Sequence, residues 1–352
     1  MHLGFLKDIE ARVSISPSTS EKYIKLDHKV SIEAGAGVLS GFPDSEYVGA
    51  TFTSRNDLIK NCEILLSVNS STYGSLSSYK GKILISNFSV DPDRINLKKE
   101  LEKHKIVAYD LSMIPRTTIA QSMDILSSMA GLSGYKSIIK AAELLPKIFP
   151  MTITAAGSIK PVKVVVLGAG VAGLQAIATA KRLGAIVEAS DPRQAAKEEV
   201  LSLGAKFIEV EGAVEDSSAG GYAVKQSKEY LAKQKEEVSK RLTQADVVIT
   251  TAQVFGSKSP VLISKAVVNE MRSGSVIIDL ASSTGGNCEL TKDNKIVTHN
   301  GVSIVGNSYL ASELAHDASN LFSNNVFNFI NHIIKDDKLI GDEDDILKKC
   351  KI

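Results

Sequence analysis

Gly168, Gly170 and Gly173 stand at G-x-G-x-x-G spacing, and a carboxylate, Asp191, follows 18 positions after the last of them. Residues of these types at these intervals can hold a dinucleotide. The first glycine permits a tight turn, the second lets backbone come into contact with a pyrophosphate, and the third lets a helix pack close to a strand. A helix N-terminus opening at Val171 would turn unpaired N–H groups and a positive dipole end toward the phosphates. Asp191 falls near the ~20-residue spacing expected of the acid that accepts hydrogen bonds from an adenosine ribose. A carboxylate there repels the extra phosphate of NADP. Arg193 and Lys197 argue the other way, but a side chain at the strand tip reaches the ribose first, so NAD(H) is the expected ligand.

A glycine triplet alone is weak evidence, and its meaning depends on the elements around it. Residues 164–167 form an uncharged β-branched run suited to a strand buried on both faces. Residues 174–183 carry apolar side chains at helical spacing before Gly184 stops them, and a second strand at 185–189 leads to Asp191. Further buried strands are expected at 246–251 and 275–280, each ending in small or polar residues. The carboxyl ends of strands in a doubly wound sheet line the ligand crevice, which puts Thr251, Ala252 and residues 281–287 beside a dinucleotide. A strand at 205–210 leads to a polar insertion, 211–222, with the composition of a mobile loop. Tyr222, beside Gly220 and Gly221, either packs at the start of the next helix or closes over a ligand. Residues 227–242 read as a solvated helix laced with i,i+4 pairs, residues 302–305 as the last strand, and 308–334 as a helical segment.

The amino-terminal region alternates short strands, at 29–33, 63–68, 82–86 and 105–109, with charged helical stretches such as 92–104, the pattern of an α/β layer domain. Gly35-Ala36-Gly37 echoes the fingerprint but fails it. Ser40 takes the third glycine position and Phe42-Pro43-Asp44 follows where a helix should run, so this is read as a structural turn. A polar block at 115–128 lies between these strands and a small-residue helix at 129–145. Two readings of Arg116, Gln121 and Asp124 stay open: a capped loop, or an interdomain loop carrying groups into a cleft. With 41 basic and 40 acidic residues, nothing in the charge suggests nucleic acid or an anionic membrane surface. The three cysteines are far apart and show no metal spacing, which implies a reducing compartment and no metal centre. No stretch reaches the ~18 apolar residues of a spanning helix, and a soluble chain without direct membrane insertion is expected.

Taken together, the chain resembles the NAD(H)-binding component of proton-translocating NAD(P) transhydrogenase, a family that shares its fold with alanine dehydrogenase. The resemblance runs along Arg12-Val13, Gly35-Ala36-Gly37, the 115–128 block, 153–157, the glycine fingerprint through Asp191, Gly220-Gly221-Tyr222-Ala223, 246–252, and 279–288 with its Gly285-Gly286-Asn287-Cys288. It implies an α/β fold of two Rossmann-like domains with parallel sheets and a nucleotide cleft between them. Residues 1–128 with 310–352 would form the first domain, completed by the returning C-terminal helix, and 129–309 the NAD(H)-binding domain. Arg116, Gln121 and Asp124 match the family's Arg-Gln-Asp loop beside the nicotinamide, and Ser127 a serine that contacts its carboxamide. Tyr222 matches the tyrosine of a loop that closes over nucleotide. Gly168, Gly170, Val171, Gly173, Asp191, Arg193, Gly221, Thr251 and Ala252 fall to the cofactor. A homodimer is implied, with NADP(H)-binding and membrane-spanning partner subunits, and a cytoplasmic or equivalent location peripherally attached to the membrane through them.

Hydride transfer between two nicotinamides needs no acid, base or metal, only two C4 atoms held about 3 to 3.5 Å apart in a dry site. One fingerprint is present, so NADP(H) is expected on another polypeptide, and the 116–124 side chains are expected to position nucleotides rather than exchange protons. Alanine dehydrogenase is the nearest rival. It grips a carboxylate with an arginine and a lysine and uses a histidine as acid/base; here Arg12 is present, but Asn69 falls at the lysine position and residues 85–89 hold no histidine. A non-catalytic NAD(H)-binding protein is the other rival, with no use for the 116–127 block. Two stretches depart from the family pattern, Gln253 to Pro260 and Tyr309-Leu310-Ala311-Ser312, the first touching the adenosine pocket. A separate subunit lacking a membrane extension is expected.

Overall fold

The structure is a computed structural model describing residues 1–89, 94–209, 228–253, 257–341 and 343–352, with backbone alone for 94 and 228–231. The chain falls into two compact units, Met1–Met129 with Ala311–Ile352, and Ala130–Leu310.

The first unit opens with β1 (His2–Phe5), α1 (Pro17–Lys25), β2 (Lys29–Glu33), β3 (Thr51–Thr53) and α2 (Arg55–Asn61). It continues with β4 (Ile64–Asn69), β5 (Ile83–Asn87), α3 (Arg94–Lys103), β6 (Val107–Asp110) and the start of α4 (Ile125–Leu144). Local chemistry sets the helix ends. Ser16 and Thr19 form a reciprocal capping box ahead of α1, with Pro17 in its first turn, and Ser54 caps α2 by accepting from the Asp57 N–H at 3.2 Å. The six strands are all parallel, in the order β3-β2-β1-β4-β5-β6. β1 lies at the centre, although four residues with a glycine among them give almost no period-2 signal. Gly4 is there because α2 comes down on it: a Cβ would sit 2.7 Å from Leu65 Cδ2 and 2.9 Å from Cys62 Sγ.

The second unit begins with the hairpin β7 (Thr152–Thr154) and β8 (Gly157–Ile159), then β9 (Lys163–Leu167), α5 (Val171–Arg182), β10 (Ile186–Ser190), α6 (Ala196–Ser202) and β11 (Lys206–Phe207). After α7 (Lys228–Leu242) come β12 (Val247–Thr250), α8 (Lys265–Glu270), β13 (Val276–Asp279), β14 (Lys295–His299) and β15 (Val302–Gly306). The strand order β11-β10-β9-β12-β13-β15-β14 is a doubly wound sheet, parallel except for β14 on its edge. β12 and β13 are buried throughout, which is why they read as unbroken Val/Ile runs rather than alternations. The fold is α/β with two Rossmann-like parallel sheets.

Past residue 310 the chain returns to the first unit as α9 (Ala315–Ile333), the small hairpin β16 (Ile334–Lys335) and β17 (Lys338–Leu339), and α10 (Asp345–Cys350). β15 is therefore not the last strand. α9 buries Phe322, Val326, Phe329, Ile330 and Ile333 in the same core as Phe5, Ile32 and Leu66 of the sheet, each worth about 1.5–3 kcal/mol of transfer free energy.

In this first sheet the strand order reverses between β1 and β4, and Asp8 closes that crevice. Its carboxylate accepts from the Val68 N–H at 2.6 Å, the Asn69 N–H at 3.4 Å and the Thr72 hydroxyl at 2.6 Å. Burial pushes its pKa up to about 6 despite these donors. Between the unfolded value, about 4, and that figure, the folded chain holds a proton the unfolded chain has released. Stability from this group is thus full below about pH 4 and falls as pH rises through 6, by on the order of 3 kcal/mol. Asp8→Asn lacks this titration. Urea unfolding at pH 4 and pH 7 should show the wild type losing stability relative to the variant on going up in pH; parallel curves would mean that Asp8 ionises in the folded chain as it does in the unfolded one.

Candidate nucleotide site

The fingerprint loop joins β9 to α5. Gly168 takes φ +99°, a left-handed conformation that favours glycine, and its N–H donates to the Ser190 carbonyl at 2.8 Å. A Cβ on Gly173 would overlap the Gly168 carbonyl, 2.9 Å from its carbon, so helix and turn touch only because neither carries a side chain there. Gly170, the N-cap of α5, is extended, has no side-chain cap, and meets nothing within 4 Å of the position a Cβ would take. The loop is therefore tight on its inner side and open on the side where backbone N–H groups begin the helix. That is the cradle a pyrophosphate requires, and Val171, half exposed, forms its rim.

Neighbouring elements hold the loop in place. Thr251 donates its N–H to the Leu167 carbonyl at 2.9 Å and its hydroxyl to the Gly168 carbonyl at 3.1 Å. Gly134 in α4 lets that helix press on the first turn of α5, since a Cβ would overlap the Ala172 carbonyl. Asp191, buried at the tip of β10, accepts from the Ala169 N–H at 2.7 Å and so grips the middle of the loop. Its other contacts are with Arg193, whose guanidinium forks across both carboxylate oxygens, Nε to Oδ1 at 2.9 Å and Nη2 to Oδ2 at 3.0 Å. Hydrogen bonding to Asp191 raises the Arg193 pKa. Lys197 pairs instead with Glu209.

The tip of β12 is tied down by residues the sequence did not single out. Asn287, fully buried, accepts from the Ala252 N–H at 3.0 Å and donates to the Ala252 and Pro260 carbonyls, both at 2.8 Å. The backbone of Ala252 is thereby occupied, which leaves its methyl for a ligand. Asp279 ends β13 and accepts from five donors: the Thr250 and Thr291 hydroxyls and the N–H groups of Ala281, Asn287 and Cys288. An acid at the end of an apolar strand followed by Gly285-Gly286-Asn287 was the available signal. Gly286 is required because a Cβ would lie 2.8 Å from Asp279 Oδ2. Gln253 donates to the Leu280 carbonyl at 2.9 Å and Ser259 bonds Thr284 at 2.5 Å, so the altered 253–260 stretch is anchored at both ends. Residues 254–256 lie outside those described, as do Gly220, Gly221 and Tyr222.

In the first unit, Arg116 and Gln121 are exposed and Asp124 and Ser127 half-buried. Asp124 caps α4: it accepts the Ser127 N–H at 3.0 Å and the Ser127 hydroxyl at 2.6 Å. The capped-loop reading of Asp124 is thus correct as local structure, and the helix starts four residues earlier than the periodicity predicts. α9 fixes the block from its far side, Asn325 and Asn328 donating to the Ser122 carbonyl at 2.8 and 3.0 Å. Arg12 is buried and forked on Glu10, which also takes the Ser312 hydroxyl and the Asn69 amide. Gly35-Ala36-Gly37 is a turn, Gly35 at φ +73° donating to Asp44. Among the described residues no group of three or more His, Cys, Asp or Glu could hold a metal, and no helix is long and apolar enough to cross a membrane.

A family model described as alanine dehydrogenase/PNT, C-terminal domain, matches residues 137–352, and its N-terminal counterpart matches residues 6–133. The chain belongs to the alanine dehydrogenase/PNT family. Within it, the chain is 43% identical over 343 residues to the first of the polypeptides that make up the NAD(P) transhydrogenase alpha subunit of Rhodospirillum rubrum, covering 94% of this chain and 89% of that one. The corresponding polypeptide from Rickettsia prowazekii is 41% identical, at 95% and 89% coverage. A solved transhydrogenase structure from Sinorhizobium meliloti superposes with a TM-score of 0.91 at 36% identity, over 100% of this chain and 98% of that one. Membership of the alanine dehydrogenase/PNT family carries NAD(H) binding and an oxidoreductase role with it.

Proposed function

We propose that this chain is the NAD(H)-binding subunit of a proton-translocating NAD(P) transhydrogenase, passing hydride between NAD(H) held on residues 129–309 and NADP(H) held on a partner polypeptide. The observation that carries the reading is the β9–α5 loop, packed to backbone contact at Gly168 and Gly173, open at Gly170, and held by the Asp191 carboxylate. The names of its relatives give the reaction class. NAD(H), when bound, supplies or accepts the hydride. The chain's own side chains then have to bind and orient. Gly168, Gly170, Val171 and Gly173 take the pyrophosphate on the helix N-terminus, Asp191 the ribose, and Thr251 keeps the turn in register. Arg116, Gln121 and Asp124 orient the nicotinamide at the face where the second nucleotide arrives. Ser127, whose hydroxyl is turned by Asp124, meets the carboxamide, and Tyr222 with Gly221 closes over the nucleotide and excludes water. A homodimer, a reducing compartment and peripheral attachment to the membrane through partner subunits belong to the same reading.

The test is an assay of NADH-dependent reduction of an NADP analogue by the purified chain, with and without an NADP(H)-binding partner domain. Activity is expected only with the partner. Arg116→Ala should lower it by about 100-fold through misplacement of the reacting groups, with NADH affinity within about twofold of wild type. NADH oxidation dependent on pyruvate and ammonia by the chain alone would replace this reading with alanine dehydrogenase. NADH binding with neither activity would leave a binding protein.

A further inference from the structure

We propose that the Arg193 guanidinium occupies, in the ligand-free chain, the acceptor positions on Asp191 that a ribose diol needs, so that a dinucleotide binds by displacing it. The inference rests on the reading of Asp191 as the ribose acceptor. A carboxylate offers about four lone-pair positions, and here all are taken. The Ala169 N–H holds one on Oδ2 at 2.7 Å and the Arg193 N–H one on Oδ1 at 2.8 Å. The guanidinium takes one more on each oxygen.

The two backbone donors belong to the fingerprint loop and the following turn and stay where they are. The guanidinium is different. Asp191 is 5% exposed but the Arg193 side chain 31%, so the fork covers the carboxylate from the solvent side and can leave without disturbing either loop. Its departure frees one position on each oxygen, which matches a cis-diol donating two O–H groups. Arg193 thus competes with the ribose of NADH. A 2′-phosphate would meet the opposite balance: it gains from a nearby guanidinium and is repelled by a bare carboxylate. Lys197 plays no role in this, being paired with Glu209. Arg193 is therefore a specificity-determining residue that lowers NADH affinity and narrows the preference over NADPH.

The test is calorimetric titration of the full chain with NADH and NADPH, in wild type, Arg193→Gln, Arg193→Lys and Asp191→Asn, with thermal melts of each free variant. Removing a partly exposed ion pair that must break on binding should tighten NADH by about three- to tenfold in R193Q. NADPH should weaken in the same variant, a divergence that a general loosening of the loop would not produce. R193K, which keeps the charge but loses the planar fork, should fall between. If R193Q binds NADH no more tightly than wild type while D191N weakens it, Asp191 is the ribose acceptor and the displacement proposal is overturned. If D191N binds NADH as wild type does, the ribose assignment itself fails, and the proposal with it.

Discussion

Gly173→Ala is expected to abolish measurable NADH binding at micromolar protein and to lower stability together. The added methyl overlaps the Gly168 carbonyl, and that carbonyl cannot retreat because Thr251 donates to it and the Gly168 N–H is bonded to Ser190. Either α5 lifts from β9 or the turn opens. Forced overpacking against backbone costs about 3 kcal/mol, and a displaced loop should weaken NADH by about 100-fold or more. Gly170→Ala is the informative companion. Its Cβ meets nothing in the protein and φ is −78°, ordinary for alanine, so stability should change by less than about 0.5 kcal/mol. NADH affinity should nevertheless fall by about tenfold or more, because the methyl fills the space through which the phosphates approach. Thermal melting and calorimetric titration of both variants decide the matter. A stable G170A with wild-type NADH affinity would remove the pyrophosphate from this loop.

Asp279→Ala should be more damaging to the fold than any change at the loop itself. Five donors converge on this buried carboxylate, three of them backbone N–H groups that cannot turn elsewhere. Each buried donor left without an acceptor costs about 1–3 kcal/mol, so a loss of at least about 4 kcal/mol is expected even if water enters the space. The effect should reach the ligand as well. Asn287 is held by Asp279 and in turn holds Ala252 and Pro260, so releasing the 281–291 turn also releases the tip of β12. Denaturant unfolding followed by an NADH titration under folding conditions measures both. A stability loss below about 1 kcal/mol would show that the turn is held by its glycine-rich backbone alone.

What could be read from the sequence was the portion that few residue types can perform. Gly168 and Gly173 are required by a positive φ and by backbone contact, so their spacing carried the strand, the turn and the helix with it. The Val/Ile runs of β9, β12 and β13 were equally plain, because a strand buried on both faces admits little else. β1 was missed: it begins at the second residue, lasts four, and owes its central place to pairing with β2 and β4, 27 and about 60 residues away. The supports of the candidate site were hidden for a related reason. Asn325 and Asn328 look like polar positions on a helix, and their partner, the Ser122 carbonyl, lies about 200 residues earlier in the chain. Asp279 and Asn287 were visible as residue types, but their work depends on a turn that folds back on the strand end. Arg193 was noticed as a charge that could favour a 2′-phosphate; its fork on Asp191 is a matter of side-chain geometry.

The return of α9 to the first unit also dictates an order of events during synthesis. The sheet β3-β2-β1-β4-β5-β6 emerges first, yet the apolar face that receives Phe322, Val326, Phe329 and Ile330 has to wait while residues 130–310 are made. The second unit, continuous in sequence, has all its strands before then and can complete its own core first. At ribosomal rates of about 5–20 residues per second, the earlier sheet stands with an open face for about ten seconds or more. A nascent chain arrested near residue 310 should therefore resist protease across its second unit while its first hundred residues are still cut.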